Sequence, residues 1–398
     1  MSRSTSVADG GGEENTETAS ADKTPSSSSS PVRVALDAMG GDFGPSVVVE
    51  GALMAVDAID RLHVILVGDR QAVDGALAAH NAVDHPSISV VHAEETIGMD
   101  ESPAQALRQK KKSSIHVGVK LVKERAADAF VSAGNTGAVM AVASVLLRTI
   151  EGIDRAGIAA PLPKPDGGLM VLLDAGANVS VKPHNLYQFG VMGAMYARYM
   201  LKIAAPRVGL LSIGEEETKG NDTIREAHEI MAKSSMNFIG NLEAKLLYKG
   251  VVDVVVCDGF TGNIALKVSE SVAMMITGFL KDIFGGSWRG KLAYLLLKDD
   301  LNAMKKRIDH AEVGGAPLIG IDGAVFISHG SSDARAIRYT LAAAKTFIDN
   351  DVNGHIREVV EANRDQLDAK KAVASGGVWD KVLGMIGLSD EKKKEDDR

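Results

Sequence analysis

Two short turns combine side chains suited to holding an anion. The stretches SAGNTGA (132–138) and DGFTGN (258–263) each follow an apolar run and precede a segment of helical character. Gly, Asp and Asn tolerate the backbone angles of a tight turn, so ordinary turn chemistry is one explanation. The other is a phosphate or oxyanion bound at a helix N-terminus, where backbone N–H groups point outward. One such turn does not separate the two explanations.

Three further Gly- or Asp-containing stretches follow apolar runs and a fourth precedes one, which makes the pattern more specific. They are DAMGGDFGP (37–45), DAGANVSVKPHN (174–185), IGEEETKGND (213–222) and GGAPLIGIDG (314–323), the last leading into VFISHGSSDARAIRYT (325–340). In a parallel sheet the carboxyl ends of the strands lie along one edge, where ligands bind in such folds. We therefore expect these turns to lie along one edge.

Signatures of other chemistries are missing from the sequence. It contains no G-x-G-x-x-G, Walker A, H-E-x-x-H or G-x-S-x-G motif. His329 is either a structural histidine or a site residue. Cys257 ends an apolar run without an adjacent His or Lys, which favours an inert thiol. The three glutamates of GEEETKGND are typical of a solvated turn rather than a metal site, and we expect neither a metal nor a cofactor.

Composition limits the class of protein. The chain has 398 residues, 45% hydrophobic and 24% charged, with a formal net charge of −8. This length allows one large α/β domain or two smaller ones. The acidic balance argues against a nucleic-acid binder. A single cysteine is typical of a reducing cytosol. The longest apolar run, residues 137–147, is too short to span a membrane, and the N-terminus has no signal or transit pattern.

Alternating apolar runs and helical segments predict the fold. Strands are predicted at 32–38, 63–69, 88–93, 129–134, 169–176, 207–214, 236–243 and 252–259. Their continuous apolar character predicts strands buried on both faces. The fold class is therefore a three-layer α/β/α domain with a mainly parallel sheet. The composition predicts a disordered tail (1–31), a folded body (32–350) and a helical or polar extension (351–398).

A predicted helical hairpin interrupts the body at about residues 268–310. Apolar residues recur there at helical spacing on both sides of GGSWRG (285–290), with basic residues nearby. Such a stripe faces a core or a dimer partner, or else it contacts a membrane surface or another protein. The residues predicted to make the contact are Met275, Phe279, Ile283 and Trp288.

The ordered set of turns resembles the bacterial acyl-acyl carrier protein:phosphate acyltransferase (PlsX) family. The resemblance covers roughly residues 32–350. It rests on VALDAMGGDFGP, ESPAQALRQKKKSSIHVGVKLVKERAADAFVSAGNTGAVMA, IGEEETKGND, VVDVVVCDGFTGNIALK and GGAPLIGIDGAVFISHGSSDA, in this order. The family pattern commonly has Glu, His and Asp where this chain has His184, Asn185 and Leu246, which leaves any catalytic duty at those positions open.

The resemblance implies a reaction, partners and a location. Inorganic phosphate would attack the thioester of a fatty acyl chain on acyl carrier protein, giving an acyl phosphate for phospholipid synthesis. The implied protein is a cytoplasmic homodimer on a Rossmann-like fold related to phosphotransacetylases and isocitrate dehydrogenases. It would associate peripherally with membranes and supply a membrane glycerol-3-phosphate acyltransferase. Two alternatives remain. One is a different enzyme on the same scaffold, such as a phosphotransacetylase-like acyl-CoA enzyme or an NAD-dependent dehydrogenase of the isocitrate type, which the missing dinucleotide motif weakens. The other is a non-catalytic scaffold for acyl carrier protein or membranes.

Donor chemistry and the motif match predict the site residues. The expected catalytic residues are Asn135, Lys182, Asn263 and His329. The expected phosphate-binding residues are Asp37, Gly40, Gly41, Ser132, Gly134, Thr136, Gly137, Thr261, Ser331 and Ser332. An acidic carrier protein needs a basic patch, for which we predict Arg108, Lys110 and Lys111. Residues 305–307 are an alternative patch, and for each cluster a solvated helix face is the competing explanation.

Overall fold

The computed structural model describes residues 30–308 and 314–362, apart from the side chains of residue 303 and residues 305–308. Residues 1–29 of the predicted tail and residues 363–398 of the predicted C-terminal extension lie outside these ranges. The side chains of the alternative basic patch at 305–307 lie outside them as well.

The strands of the described part form one sheet of eleven. They are β1 (Val32–Asp37), β2 (Leu62–Gly68), β3 (Ile88–His92), β4 (Ala129–Ser132), β5 (Gly157–Pro163), β6 (Leu169–Leu173), β7 (Val208–Ser212), β8 (Phe238–Glu243), β9 (Val254–Val256), β10 (Ala316–Ile319) and β11 (Ala324–Ile327). Their order is β3-β2-β1-β4-β11-β10-β5-β6-β9-β7-β8.

Helices cover both faces of this sheet. They are α1 (Gly44–Ala58), α2 (Arg70–Ala79), α3 (Pro103–Gln109), α4 (Ser114–Lys123), α5 (Thr136–Leu146), α6 (Pro183–Tyr199), α7 (Asp222–Ala232), α8 (Gly259–Gly285), α9 (Trp288–Ile308), α10 (Ala334–Asp349) and α11 (Val352–Ala362). Alternate residues of β1 belong to different cores: Val34 and Leu36 pack into one apolar cluster and Ala35 into the other. Both faces of the sheet are therefore buried, and the predicted three-layer fold is confirmed.

The sheet has two halves that run in opposite directions. Strands β3, β2, β1, β4 and β11 are mutually parallel, and so are β6, β9, β7 and β8. Between them, β10 is antiparallel to β11 and β5, and β5 is antiparallel to β6. The expectation that all the turns lie along one edge is therefore wrong. The Asp37 edge is where β1, β4 and β11 end, and the Asp174 edge is where β6, β7 and β9 end.

The predicted hairpin is present as α8 and α9. The apolar side chains expected to make contacts are well exposed: Met275 51%, Phe279 59%, Ile283 64% and Trp288 71%. By length and composition alone, α8 could cross a membrane. An 18-residue window of this helix has a mean hydropathy of 1.2, and no residue of that window is buried within the protein. The hairpin thus presents a large apolar face, and large exposed apolar patches mark interaction sites.

Candidate functional site

Three loops meet at the Asp37 edge, because β1, β4 and β11 are neighbours that end there. The N–H of Asp42, after β1, donates to the carbonyl of Gly330, after β11, at 2.8 Å. The N–H of Ser328 donates to the carbonyl of Ser132, at the end of β4, at 2.9 Å. These two bonds fix the three loops against one another at this edge.

The Asp37 carboxylate shapes the turn that follows β1. It is only 1% exposed and accepts hydrogen bonds from Ser132 Oγ at 2.7 Å and from Met39 N at 3.1 Å. Burial raises the pKa of Asp37, and hydrogen bonds from Ser114, Ser132 and the turn backbone offset part of that rise. A carboxylate held this way would repel a phosphate. What the structure shows for Asp37 is that it orders the turn after β1, and its predicted role in phosphate binding stays a prediction.

Two glycines allow the loops after β1 and β4 to touch. A Cβ on Gly40 would lie 2.7 Å from the Gly134 nitrogen and 2.8 Å from the Asp37 carboxylate. Gly41 has a φ of +90°, a left-handed conformation that favours glycine. The backbone can therefore come close to a ligand here, as the phosphate-binding prediction for both residues requires.

The start of α5 offers outward-pointing amide groups. Asn135 is the N-cap, and its Oδ1 accepts from the Ala138 N–H at 3.0 Å. The N–H groups of the two residues before Ala138, Thr136 and Gly137, belong to the first turn and have no acceptor within the helix. Thr136 is exposed, and together these groups form the part of the edge best suited to an anion.

The amide nitrogen of Asn135 is directed away from that surface. Asn135 is 7% exposed, and its Nδ2 lies 3.2, 3.0 and 2.9 Å from the carbonyl oxygens of Gly98, Met99 and Glu101. These carbonyls belong to residues 97–102, which we call the strap. The catalytic role predicted for Asn135 stays a prediction, but its side chain holds the strap in this structure.

Side chains that follow β11 complete the edge. His329 Nδ1 lies 2.7 Å from Ser331 Oγ and accepts from the Ser331 N–H at 3.2 Å, which leaves Nε2 as the protonated nitrogen. Ser332 Oγ lies 2.7 Å from Ser328 Oγ. His329 and Ser331 are exposed. The loop thus offers an imidazole and a hydroxyl beside the α5 amides.

The predicted site residues fall into two groups. The Asp37 edge brings together Asp37, Gly40, Gly41, Ser132, Gly134, Asn135, Thr136, Gly137, His329, Ser331 and Ser332. Lys182, Thr261 and Asn263 lie at the Asp174 edge instead. The strands β4 and β9 are five strand spacings apart in the sheet, or about 24 Å. Within one chain the two groups therefore cannot contact the same phosphate.

Asp174 organises the second edge and was not among the predicted residues. Its carboxylate is fully buried and accepts from the backbone N–H groups of Ile158, Gly176, Ala177 and Asn178 at 2.7–3.1 Å, and from Asn178 Nδ2 at 2.9 Å. The sequence contains a signal for it, since LDAGAN (173–178) shares its first three residues with LDAMGG (36–41), and VCDGFTGN (256–263) shares four of eight residues with VSAGNTGA (131–138).

The start of α8 packs tightly against this turn. A Cβ on Gly262 would lie 1.9 Å from the Asp174 carbonyl oxygen. Asp258 caps the helix by accepting from the Thr261 N–H at 2.8 Å and the Thr261 hydroxyl at 2.7 Å. Asn263 is exposed beside Gly176. The Thr261 side chain is therefore bound to a carboxylate, whereas Asn263 faces outward.

The positions that depart from the family pattern have structural partners. His184 Nε2 lies 2.7 Å from Asp154 Oδ2. Asn185 is 2% exposed, and its Oδ1 accepts from the Lys182 N–H at 2.9 Å, which caps α6. Leu246 packs against an apolar core. These contacts account for the three residues structurally.

The predicted basic patch lies on and just after α3. Lys110 bonds to Glu101 and donates to the Thr96 carbonyl at 2.7 Å. Arg108 and Lys111 are exposed, and neither forms an ion pair with the described residues. In the described ranges no group of three or more His, Cys, Asp or Glu side chains is placed to hold a metal.

Comparison with known proteins points to one family. The sequence profile described as "Fatty acid synthesis protein" matches residues 32–355. The phosphate acyltransferase of Pelotomaculum thermopropionicum is 46% identical over 331 residues, covering 83% of this chain and 96% of the relative. That of Geotalea daltonii is 44% identical over 349 residues, covering 87% of this chain and all of the relative.

Solved structures show the fold alone. A phosphotransacetylase from Streptococcus pyogenes superposes with a TM-score of 0.55 at 20% identity, covering 80% of this chain and 94% of that one. A branched-chain phosphotransacylase from Enterococcus faecalis gives 0.51 at 14% identity, covering 80% and 99%. The predicted relation of the fold to the phosphotransacetylase group is confirmed.

Proposed function

The chain belongs to this fatty acid synthesis protein family, and we propose that it transfers a fatty acyl group from acyl carrier protein to inorganic phosphate. Its relatives are phosphate acyltransferases, so it is an enzyme of the acyltransferase class. The observation that carries the proposal is their 44–46% identity over more than four fifths of this chain. The acyl phosphate would serve phospholipid synthesis.

In the proposed reaction a phosphate oxygen attacks the thioester carbonyl carbon. A tetrahedral oxyanion forms, the C–S bond breaks, and the carrier thiolate leaves and takes up a proton. Phosphate is already a nucleophile at neutral pH, so the protein has to hold it, orient it and stabilise the oxyanion. We assign these tasks to the first-turn amides of α5 and to His329, Ser331 and Ser332, which share the Asp37 edge.

Phosphate binding at the Asp37 edge is also favoured by the helix cap. The amides of Thr136 and Gly137 carry the partial positive charge of a helix N-terminus, and the neutral Asn135 caps this helix. At the Asp174 edge the capping group is the Asp258 carboxylate. Lys182, Thr261 and Asn263 stay predicted site residues at that second edge, outside the phosphate position proposed here.

The acyl carrier protein is proposed to dock on the basic patch of Arg108, Lys110 and Lys111. Arg108 is six positions after Ser102, the end of the strap, a distance of about 9 Å along a helix. Phe43 and Met99 are 58% and 45% exposed beside the edge, so an apolar chain delivered there would find apolar contacts. A carrier on this patch would thus be adjacent to the proposed phosphate site.

The α8–α9 hairpin is proposed to contact a membrane surface peripherally and to contribute to a homodimer. A full crossing is disfavoured because α9 carries Arg289, Lys291, Lys298, Asp299 and Asp300, whose burial in lipid is costly. Surface contact would deliver acyl phosphate, which is amphiphilic, to a membrane glycerol-3-phosphate acyltransferase. The proposed location is the cytoplasmic side of the membrane.

A phosphotransacetylase-like reaction with acyl-coenzyme A is the second candidate, favoured by the shared fold. Purified protein incubated with palmitoyl-acyl carrier protein and phosphate, with hydroxylamine as the trap, separates the two. Phosphate-dependent palmitoyl hydroxamate supports the proposal. Product from palmitoyl-coenzyme A alone would support the second candidate. Carrier binding without product from either donor would support a scaffold.

A further inference from the structure

We propose that Asn135 is a positioning residue that couples the carrier-protein patch to the phosphate site by holding the strap, residues 97–102, against the start of α5. The inference rests on the proposed function. It assigns the Asn135 side chain an effect on how the carrier-bound thioester is delivered. The catalytic role predicted from the sequence would instead require contact with the reacting atoms.

Hydrogen-bond capacity is the first argument. The Asn135 amide has two hydrogens, and three carbonyl oxygens lie within 3.2 Å of its nitrogen. Its oxygen accepts from Ala138 N at 3.0 Å. Since the side chain is 7% exposed and both of its polar atoms are engaged with the protein, it has no hydrogen left for phosphate.

The strap is tied to the basic patch at its other end. Glu101 Oε1 accepts from the Gly98 N–H at 2.8 Å within the strap and also from Lys110 Nζ. Lys110 further donates to the Thr96 carbonyl at 2.7 Å. The Lys110 hydrogen bond lowers the pKa of the Glu101 carboxyl, so this link is ionic at neutral pH. Lys110 of the basic patch therefore binds the strap through the Glu101 side chain, and Asn135 binds it through the strap's backbone carbonyls.

The strap also touches the loop that carries His329 and Ser331. A Cβ on Gly330 would lie 2.9 Å from Met99 Cε. Beyond the strap, Pro103 begins α3, and a Cβ on Gly137 would lie 2.5 Å from Pro103 Cγ. Displacing the strap would therefore shift α3 and its basic residues relative to the α5 turn. The position of α3 relative to α5 matters for a carrier-bound thioester, because the carrier must contact the basic patch while its acyl group reaches the proposed phosphate site.

Asn135→Ser tests the coupling, because serine retains a capping oxygen and lacks the amide donor. Its matched control is Asn221→Ser at the N-cap of α7, where Asn221 Oδ1 accepts from Ile224 N at 2.9 Å. Rates would be measured with palmitoyl-acyl carrier protein and with palmitoyl-N-acetylcysteamine, a thioester with no protein to dock. Glu101→Gln, which weakens the bond to Lys110, provides a second variant should Asn135→Ser fail to fold.

We expect Asn135→Ser to lower kcat/KM for the carrier substrate at least tenfold more than for the small thioester, mainly through KM. Glu101→Gln should show the same bias, and Asn221→Ser should show none. An equal fall for both thioesters, or a raised KM for phosphate alone, would overturn the inference in favour of direct contact with the reacting atoms. Wild-type rates in both strap variants would overturn it too. Absence of product from wild-type protein with either donor would instead defeat the proposed function.

Discussion

Asp37 and Asp174 occupy equivalent positions in two copies of one structural unit. Each directly follows a Leu at the carboxyl end of a strand, and that Leu pairs with a Val in the neighbouring parallel strand: Leu36 with Val131, and Leu173 with Val256. Each carboxylate accepts hydrogen bonds from the turn that follows it. The neighbouring strand then enters a helix through VSAGNTGA or VCDGFTGN. The chain therefore presents the same strand-turn-helix arrangement at opposite edges of its sheet.

The two units differ in the groups that would face an anion. Ser132 donates its hydroxyl to the Asp37 carboxylate, whereas its counterpart Cys257 is a buried thiol whose Sγ lies 3.5 Å from the Asp174 carbonyl oxygen. Burial raises the pKa of Cys257, which agrees with the inert thiol expected from the sequence. The helix caps differ as well, with a neutral amide at Asn135 and a carboxylate at Asp258. The Asp37 edge is the more favourable of the two for phosphate.

Asp37→Asn should lower the KM for phosphate up to about tenfold in folded protein, because it removes a buried negative charge that repels the anion; tenfold corresponds to roughly 1.4 kcal/mol of binding. The Asn oxygen can still accept from Met39 N and the Ser132 hydroxyl can reverse, so the fold survives while the turn loses its charge. Steady-state kinetics with varied phosphate measures this. Asp174→Asn is the matched variant from the other unit. A larger fall in phosphate KM for that variant would move the phosphate to the Asp174 edge.

Gly40→Ala should destabilise the protein by about 2 kcal/mol, because the new methyl group would meet the Gly134 backbone and the Asp37 carboxylate. Gly75→Ala is the control. It lies within α2 with nothing inside 4 Å of its Cβ position, and it should raise the free energy of unfolding by roughly 0.5–1 kcal/mol. Urea unfolding compares the two. Equal stability of both variants would show that the loops after β1 and β4 can separate without cost.

Asp253 should contribute to stability above about pH 4 and lose that contribution below it. Burial alone would raise the pKa of Asp253, but hydrogen bonds from Arg207 and Lys164 outweigh it and hold the pKa at about 2, against 3.8 for a free side chain. Because the folded state binds its proton less readily, stability falls as the pH drops from about 4 towards 2. The contribution is about 2 kcal/mol.

Asp253→Asn tests this ion pair directly. The change would leave the Lys164 ammonium, 9% exposed, without its 3.1 Å partner, so we expect a loss of about 3 kcal/mol at pH 7. The difference in unfolding free energy from wild type should shrink between pH 4 and pH 2. A difference that stays constant over this range would rule out the proton linkage.

Replacing Phe279 and Ile283 together by serine should reduce binding to phosphatidylglycerol vesicles at least tenfold, since both side chains are about 60% exposed on the hairpin. Val83→Ser, which removes an apolar side chain of 54% exposure from another surface, is the control. Co-sedimentation measures binding, and light scattering measures the oligomeric state. Unchanged vesicle binding with loss of a dimer would assign this face to subunit contact.

Charge reversal at Arg108 and Lys111 should raise the KM for palmitoyl-acyl carrier protein at least tenfold more than that for a small palmitoyl thioester. The reason is that only the carrier has an acidic surface to dock. Reversal of two exposed lysines elsewhere, Lys123 and Lys249, controls for net charge. Equal changes for both thioesters would mean that this patch is not the docking site, and raising the salt concentration should weaken the bias.

The sequence by itself determined much of this protein. Continuous apolar runs such as 32–38 and 169–176 required strands buried on both faces, and buried strands need helices on each side. Glycine, Asn and Asp after those runs required turns with exposed N–H groups. The turns identified the family because several of its motifs occur in this chain in the same order, and each motif depends only on residues that are close in sequence. These features are local, so they can be seen without the fold.

Only the tertiary structure decided which turns meet. No strand is predicted from the sequence at 157–163, 316–319 or 324–327. Pro161, Pro163 and Pro317 weaken the strand signal in the first two of these segments. Two of these strands, β5 and β10, reverse the direction of the sheet and send the second copy of the unit to the opposite edge. The direction of a strand is set by its neighbours across the sheet and not by its own residues. The sequence therefore predicts which segments form turns, and strand pairing between distant segments decides at which of the two edges each turn lies.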